Sequence, residues 1–174
     1  GDMVLAMLAG AIAHGADWVN AVRLANIAAG LEVERFGIVP IELDEILLAV
    51  LQLSHTELGK QRTLEQLLPE LAAHRKQGRK VAFTNGCFDI LHAGYVKFLR
   101  ESSRAGDLLV VSLNSDASIR RLKGQGRPVN HEADRVMVLS ELQSVDYIVV
   151  FSEDTPIKLI EAIKPEVLIK GADY

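Results

Sequence analysis

The residues most able to handle a phosphate lie in two short stretches. The first, Asn85-Gly86-Cys87-Phe88-Asp89-Ile90-Leu91-His92-Ala93-Gly94, follows the apolar run Val81-Ala82-Phe83. From Tyr95 onward, Val96, Phe98 and Leu99 take helical spacing. A strand, a glycine-bearing turn and a helix start leave backbone N–H groups without partners, and the helix dipole favours an anion there. His92 stands just before that helix, where an imidazole reaches the same anion. The second stretch, Lys123-Gly124-Gln125-Gly126-Arg127-Pro128, is basic and glycine-rich. As a mobile loop it offers a phosphate a lysine point charge and an arginine fork; its plain reading is a solvated turn. Cys87 has no basic cluster beside it in sequence and reads as a small residue in a tight turn rather than a reactive thiol.

These stretches need a frame. Leu108–Leu113, Asp146–Phe151 and Val167–Ile169 read as further strands, apolar as parallel strands are. Helices are expected over Ala117–Leu122, Glu132–Leu142 (with Arg135 in its first turn) and Thr155–Ile163. Strands and helices alternate at the spacing of right-handed crossovers, which predicts an α/β, doubly wound parallel sheet from Lys80 on. Ligands of such sheets sit beyond the strands' carboxyl ends. The Asn85–His92 turn, Asn114–Asp116 and Lys170–Asp173 all fall there and should share one cleft.

Composition narrows the partners. A net charge of −4 argues against a nucleic-acid surface, and the 49% of hydrophobic residues among 174 is enough for a core. One cysteine allows no internal disulfide and suits a reducing compartment. No positive n-region opens the sequence, and no run reaches the roughly 18 apolar residues of a membrane span. The start without methionine reads as an excerpt.

Before the sheet, residues 2–14 read as a helix. Asp17 reads as the N-cap of a second helix, Trp18 to about Glu34, with Ala21, Leu24, Ala25, Ala28 and Leu31 on one stripe. Phe36–Pro40 is expected to be extended, and Glu42–Leu51 to carry a short helix. Thr63 should cap a helix from Leu64 to about Gln77, kinked or broken at Pro69. His55 and His74 stand alone among polar neighbours and read as surface residues. The expected divisions are a fragment over 1–41, a helical linker over 42–62 and the sheet domain over 63–174.

Gly86-Cys87-Phe88-Asp89-Ile90-Leu91-His92-Ala93-Gly94-Tyr95 resembles the GxFDxxHxGH signature of the cytidylyltransferase-like nucleotidyltransferases. It matches at Gly86, Phe88, Asp89, His92 and Gly94; Tyr95 stands where the signature has its second histidine. With Val111–Asp116, Arg121–Asn130, Glu153–Pro156 and Ile169–Tyr174 added, Phe83–Tyr174 is similar to the adenylyltransferase domain of the bifunctional heptose-7-phosphate kinase/heptose-1-phosphate adenylyltransferase family. Gly1-Asp2 and Arg23-Leu24-Ala25-Asn26-Ile27-Ala28-Ala29-Gly30 resemble the C-terminal end of ribokinase-like sugar kinases. The aspartate that opens a helix there is the catalytic base, which makes Asp2 its counterpart; in this fragment Asp2 reads as a helix N-cap.

The resemblance implies a Rossmann-like fold. It also implies ATP with Mg²⁺ and a sugar 1-phosphate, D-glycero-β-D-manno-heptose 1-phosphate, as substrates, giving ADP-heptose and pyrophosphate for lipopolysaccharide synthesis. The enzyme would be a cytoplasmic homodimer without nucleic-acid or membrane partners. Catalytic roles fall on His92 and Lys123, and phosphate contacts on Lys123 and Arg127. Nucleotide contacts fall on Asn85, Gly86, Cys87, Phe88, Asp89, Gly94, Tyr95, Asn114, Asp116 and Lys170, and no residue is assigned to a metal. Two alternatives stay open: a cytidylyltransferase for another sugar or polyol phosphate, and a non-catalytic nucleotide-binding module. The second draws on Tyr95 and on a chain that stops before the family's serine/threonine-rich motif. An NAD-binding domain is disfavoured, because no GxGxxG follows a strand.

Overall fold

The four apolar runs become four parallel strands, β1 (Val81–Gly86), β2 (Leu108–Asn114), β3 (Tyr147–Phe151) and β4 (Val167–Ile169), in the order β3-β2-β1-β4. The computed structural model describes residues 1–36 and 40–171, side chains at 52 and 54–58 excepted. Every residue of β2 is buried, as both faces of a central strand must be when crossover helices cover them. On one face pack α5 (Ala93–Ser103) and α7 (Glu132–Ser140), around Leu99, Leu109, Val111, Leu139 and Ile148. On the other pack α4 (Leu64–Lys76) and α8 (Ile157–Ile163), around Leu67, Leu71, Phe83, Val110 and Ile163. A short helix, α6 (Asp116–Lys123), follows β2 at its carboxyl end, capped by Ser115, whose hydroxyl accepts the Ser118 N–H. The doubly wound α/β expectation is met.

Gly106 is fixed by contact rather than by a turn. A Cβ there would lie 2.9 Å from the Ala82 nitrogen and the Lys80 oxygen, so the chain entering β2 must pass β1 without a side chain. The outer edge of β3 is covered by Lys60–Arg62, a pairing the apolar pattern did not announce. Arg62 N–H donates to the Ile148 carbonyl and Ile148 N–H to the Lys60 carbonyl, both at 2.9 Å.

The chain divides into two compact units, Gly1–Glu57 and Leu58–Tyr174. In the first, α1 (Asp2–Ala13) and α2 (Trp18–Val33) form a hairpin, followed by α3 (Leu43–Leu58). Asp17 caps α2 as expected, accepting the Asn20 N–H at 3.0 Å, and Ala21, Ala25 and Ala28 are buried. Asp2, expected as an N-cap, is instead the first helical residue of α1 behind Gly1, with no side-chain cap bond. The centre of the stretch expected to be extended (37–39), the His55 side chain and residues 172–174 lie outside the described residues.

Two readings of α4 are corrected. Thr63 caps it through a full capping box with Gln66, but Pro69 does not break it. The proline lies on the exposed face and forfeits only the bond to Glu65, itself exposed, in the first turn. His74 is buried, not a surface residue. It shares the stripe of Leu67, Glu70 and Leu71, and its Nε2 lies 2.9 Å from the Tyr147 hydroxyl. Arg62 donates from Nε to Glu70 at 2.7 Å in the same layer. Burial, and then the Glu70 charge, push the Tyr147 hydroxyl well above its ordinary pKa.

The Arg62 and Glu70 side chains are only 2% and 6% exposed, so truncating one strands a buried charge on the other. Glu70→Ala should therefore cost about 3–5 kcal/mol in chemical denaturation. Arg121→Ala, which removes an exposed pair with Asp154, should cost about 1 kcal/mol or less.

Candidate nucleotide site

The turn after β1 is shaped by two aromatic rings and a histidine. Phe88 takes the left-handed backbone region (φ 45°), which a non-glycine residue rarely holds, and is buried under the turn. Its ring meets Tyr95 edge-on at 5.2 Å, and Tyr95 in turn leans on His92 at 4.5 Å. His92 is the N-cap of α5: its Nδ1 accepts the Gly94 N–H at 3.1 Å. With Nδ1 accepting, a neutral ring carries its proton on Nε2, so the imidazole presents a donor beside the free N–H groups of the helix start. Gly94 is required by this cap, because a Cβ would sit 2.8 Å from His92 Cε1.

Beneath the turn lies a residue that the sequence reading placed on α7 and gave no role. Arg135 is 2% exposed, and its guanidinium makes four hydrogen bonds. Nη1 donates to the carbonyls of Cys87 and Asn114, both at 2.8 Å, Nε to the Asn130 carbonyl at 3.1 Å, and Nη2 to Asp116 at 2.7 Å. One side chain thus ties the ends of β1 and β2 to the start of α6 and to the loop before α7. Asn114 is locked from its other side, donating to Ser118 Oγ at 3.0 Å, while Ser118 donates on to the Glu153 carbonyl.

Asp89 does for the basic loop what Arg135 does for the strand ends. It is buried and accepts from Arg127 at 2.7 Å, from the Val129 N–H at 2.7 Å and from the Asn130 N–H at 3.0 Å. Asn130 also donates to the Asp89 carbonyl. Burial opposes the charge, but the bonds from Asn130, Arg127 and Val129 outweigh it and hold the Asp89 carboxyl below the usual carboxylate range. Asp116 follows the same logic: burial raises it, but Arg135 and then His131, 3.2 Å away, carry it lower. For Cys87 burial wins against the nearby charges of Lys123 and Arg135, and the thiol is pushed up.

The structure therefore gathers Cys87, Phe88, Asp89, Asn114, Asp116 and Arg127 about one buried arginine, with His92, Gly94 and Tyr95 on the adjoining turn. Asn85 and Gly86 pair with Ser112 and Leu113 at the carboxyl ends of β1 and β2. Lys123 ends α6, exposed, with no hydrogen bond or ion pair among the described residues, yet its charge reaches the Cys87 thiol. Lys170 is exposed directly after β4, whose Ile169 pairs with Thr84. Asp2 belongs to the other unit. Arg135 escaped attention because a cation in a helix's first turn opposes the dipole and reads as surface charge; its place one turn before buried Leu139 was the available signal.

The Asp89 carboxyl has a lower pKa folded than unfolded, so its stabilisation is complete above the unfolded value, about 3.9. It is lost as pH falls through the folded value. Asp89→Asn should therefore melt well below the parent at pH 7, and the gap should close in melts taken at progressively lower pH under about 4.

A family model described as cytidylyltransferase-like matches residues 83–174. Among curated proteins, "Bifunctional protein HldE" of Trichlorobacter lovleyi is 48% identical over 175 residues, which is all of this chain and 35% of that protein. The protein of the same name from Campylobacter concisus is 50% identical over 179 residues, all of this chain and 37% of that protein. The chain spans about a third of the length of the curated relatives it matches. The crystal structure of the lipopolysaccharide core biosynthesis protein from Thermoplasma volcanium GSS1 aligns with a TM-score of 0.48 at 34% identity, covering 52% of this chain and 73% of that one. Through the match that begins inside β1 and takes in the His92 turn, the Arg135 hub and all four strand ends, the chain belongs to the cytidylyltransferase-like family.

Proposed function

We propose that the second unit transfers AMP from ATP to D-glycero-β-D-manno-heptose 1-phosphate, giving ADP-heptose and pyrophosphate, in the cytoplasm and as a homodimer. The observation that carries this reading is the His92 cap. One imidazole is held through Nδ1 by the Gly94 N–H at the start of α5, which leaves its Nε2 to donate to an anion that the helix N-terminus also favours. The match to the HldE proteins over the whole chain supports the choice of sugar phosphate and base.

The chemistry asks little of the protein in the way of acid–base groups. A phosphate oxygen of the sugar 1-phosphate is already anionic and attacks the α-phosphorus of ATP. The bond from that phosphorus to the bridging oxygen breaks, and its electron pair leaves with pyrophosphate. What the site must supply is alignment and charge. His92 and the α5 N–H groups hold the triphosphate, and Lys123 closes over it from the loop side. Arg127, with one N–H on Asp89, keeps further donors for a phosphate. Asp89 and Asp116 are engaged by arginines, and among the described residues no cluster of three acidic, histidine or cysteine side chains could hold a metal. That donor set suits Mg²⁺ arriving on the triphosphate as part of the substrate, where it neutralises the leaving group.

Residues 1–41 are read as the end of a ribokinase-like kinase domain, with Asp2 as the counterpart of its base, and no kinase activity is ascribed to this fragment. A nucleotide-holding module without turnover is the second reading, favoured by Tyr95 in the place of the signature's second histidine.

Calorimetry with ATP and CTP and a pyrophosphate-release assay with the heptose phosphate separate these readings. Tighter CTP binding would overturn the adenylyl assignment, and ATP binding without release would favour the module. Lys123→Ala should leave stability within about 0.5 kcal/mol but weaken ATP binding by about 1.5–3 kcal/mol. A large fall in melting temperature with normal binding would make the loop structural. Gly94→Ala should keep the melting temperature while lowering ATP affinity about tenfold, since its Cβ displaces the His92 ring; unchanged affinity would remove His92 from the site.

A further inference from the structure

The sheet face that carries α5 and α7 is unfinished. Both helices cover the same core, around Leu99 and Leu139, yet the groove between their outer sides exposes apolar side chains. Val96 on α5 is 38% exposed, and Val138 and Met137 on α7 are 46% and 68% exposed. Depressions open along the groove at both ends, one lined by Leu91 and Val138, the other by Val96, Arg100 and Leu142. The two ridges that flank it carry opposite charge. Lys97, Arg100 and Arg104 outnumber Glu101 on the α5 side, whereas α7 and its C-cap present Asp134 and Glu141. Lys97 approaches Glu101 at 3.9 Å, but Arg100, Arg104, Asp134 and Glu141 have no ion pair among the described residues.

We propose that this groove is the contact surface between two copies of the chain, related by a two-fold axis running along the groove. Such an axis exchanges left and right between facing layers, so α5 of one copy lies on α7 of the other. Val96, Met137 and Val138 are then covered, and each basic ridge meets an acidic one twice over. An axis across the helices would instead set α5 on α5 and α7 on α7, like charge on like charge. Charge complementarity therefore selects both the occupant, a second copy, and the operator. The proposal rests on the homodimer part of the reading above and not on its substrates.

Sedimentation velocity of the whole chain at increasing micromolar concentrations tests it. The expected result is a dimer that Val138→Asp weakens by more than about tenfold. Arg100→Glu should weaken it as well, and Arg100→Glu with Glu141→Arg should restore it, because the swap exchanges the charges across the axis. Arg100 and Glu141 are exposed, so those variants fold whatever Val138→Asp does, and circular dichroism confirms it for each. A chain that stays monomeric overturns both the homodimer reading and this surface. A dimer indifferent to Val138→Asp and to the charge swap overturns the surface alone.

Discussion

The candidate site hangs on one buried guanidinium. Arg135 satisfies two strand-end carbonyls, a loop carbonyl and a carboxylate, and these come from three separate pieces of chain. Carbonyls at the end of a parallel sheet lose their ladder partners and must find others or stay wet. Filling that need with a single planar fork makes the separation of β1 from β2 and the start of α6 a shared geometry rather than three independent ones. An ammonium could not do this, since it lacks the planar spread of donors. The cost of burying the charge is offset by Asp116, which sits at the α6 N-terminus, where a carboxylate is welcome.

Seen from that hub, the site divides into what is held and what is left loose. Asp89 fixes the far end of the basic loop through Arg127, Val129 and Asn130, and Arg135 fixes Asn130 again through its carbonyl. Between this anchor and the end of α6 lie Gly124, Gln125 and Gly126, all exposed, with Gly124 at φ 95°. Lys123 is thus attached to a short, glycine-bearing arc whose far end cannot move. Such an arc lets the ammonium swing toward a ligand without disturbing the turn proposed to receive the phosphate.

The frame was legible in the sequence and the hub was not, for one reason. Strands buried on both faces are uniformly apolar, and helix starts carry caps, so Leu108–Asn114, Asp17 and Thr63 announce themselves locally. The His92 turn was legible because its residue types and spacing are consecutive. Arg135, Asn130 and Ser118 act across 21 to 48 positions of chain or through backbone oxygens, and a carbonyl acceptor leaves no mark on residue type. His74 and Pro69 were misjudged in opposite ways by the same rule. Each was read by its chemical type, when its place on the α4 stripe, buried for 67, 70, 71 and 74 and exposed for 69, decided its environment. Lys60–Arg62 covers the β3 edge with backbone alone, which no side-chain pattern can signal.

Under the proposed function an acidic chain must receive a triphosphate, and its charge distribution allows this. Its net charge is −4, yet the two carboxylates nearest the turn, Asp89 and Asp116, are each matched by an arginine within 2.7 Å. A carboxylate neutralised at that range exerts little field on an anion a few ångströms further away. Among the described residues, what remains unmatched at the strand ends is positive: Lys123, Lys170 and the amino-terminal end of α5. Other acidic residues, among them Glu32, Glu65, Glu101 and Asp134, are exposed on helices, where water and salt screen them. Tyr95 fits the same economy. Packed between Phe88 and His92, its ring supports the one imidazole that remains instead of adding a second, which leaves a helix dipole, a single histidine and the Lys123 ammonium as the groups proposed to meet the anion. Under the proposed function, a site with so little fixed positive charge favours a triphosphate that brings its own cation.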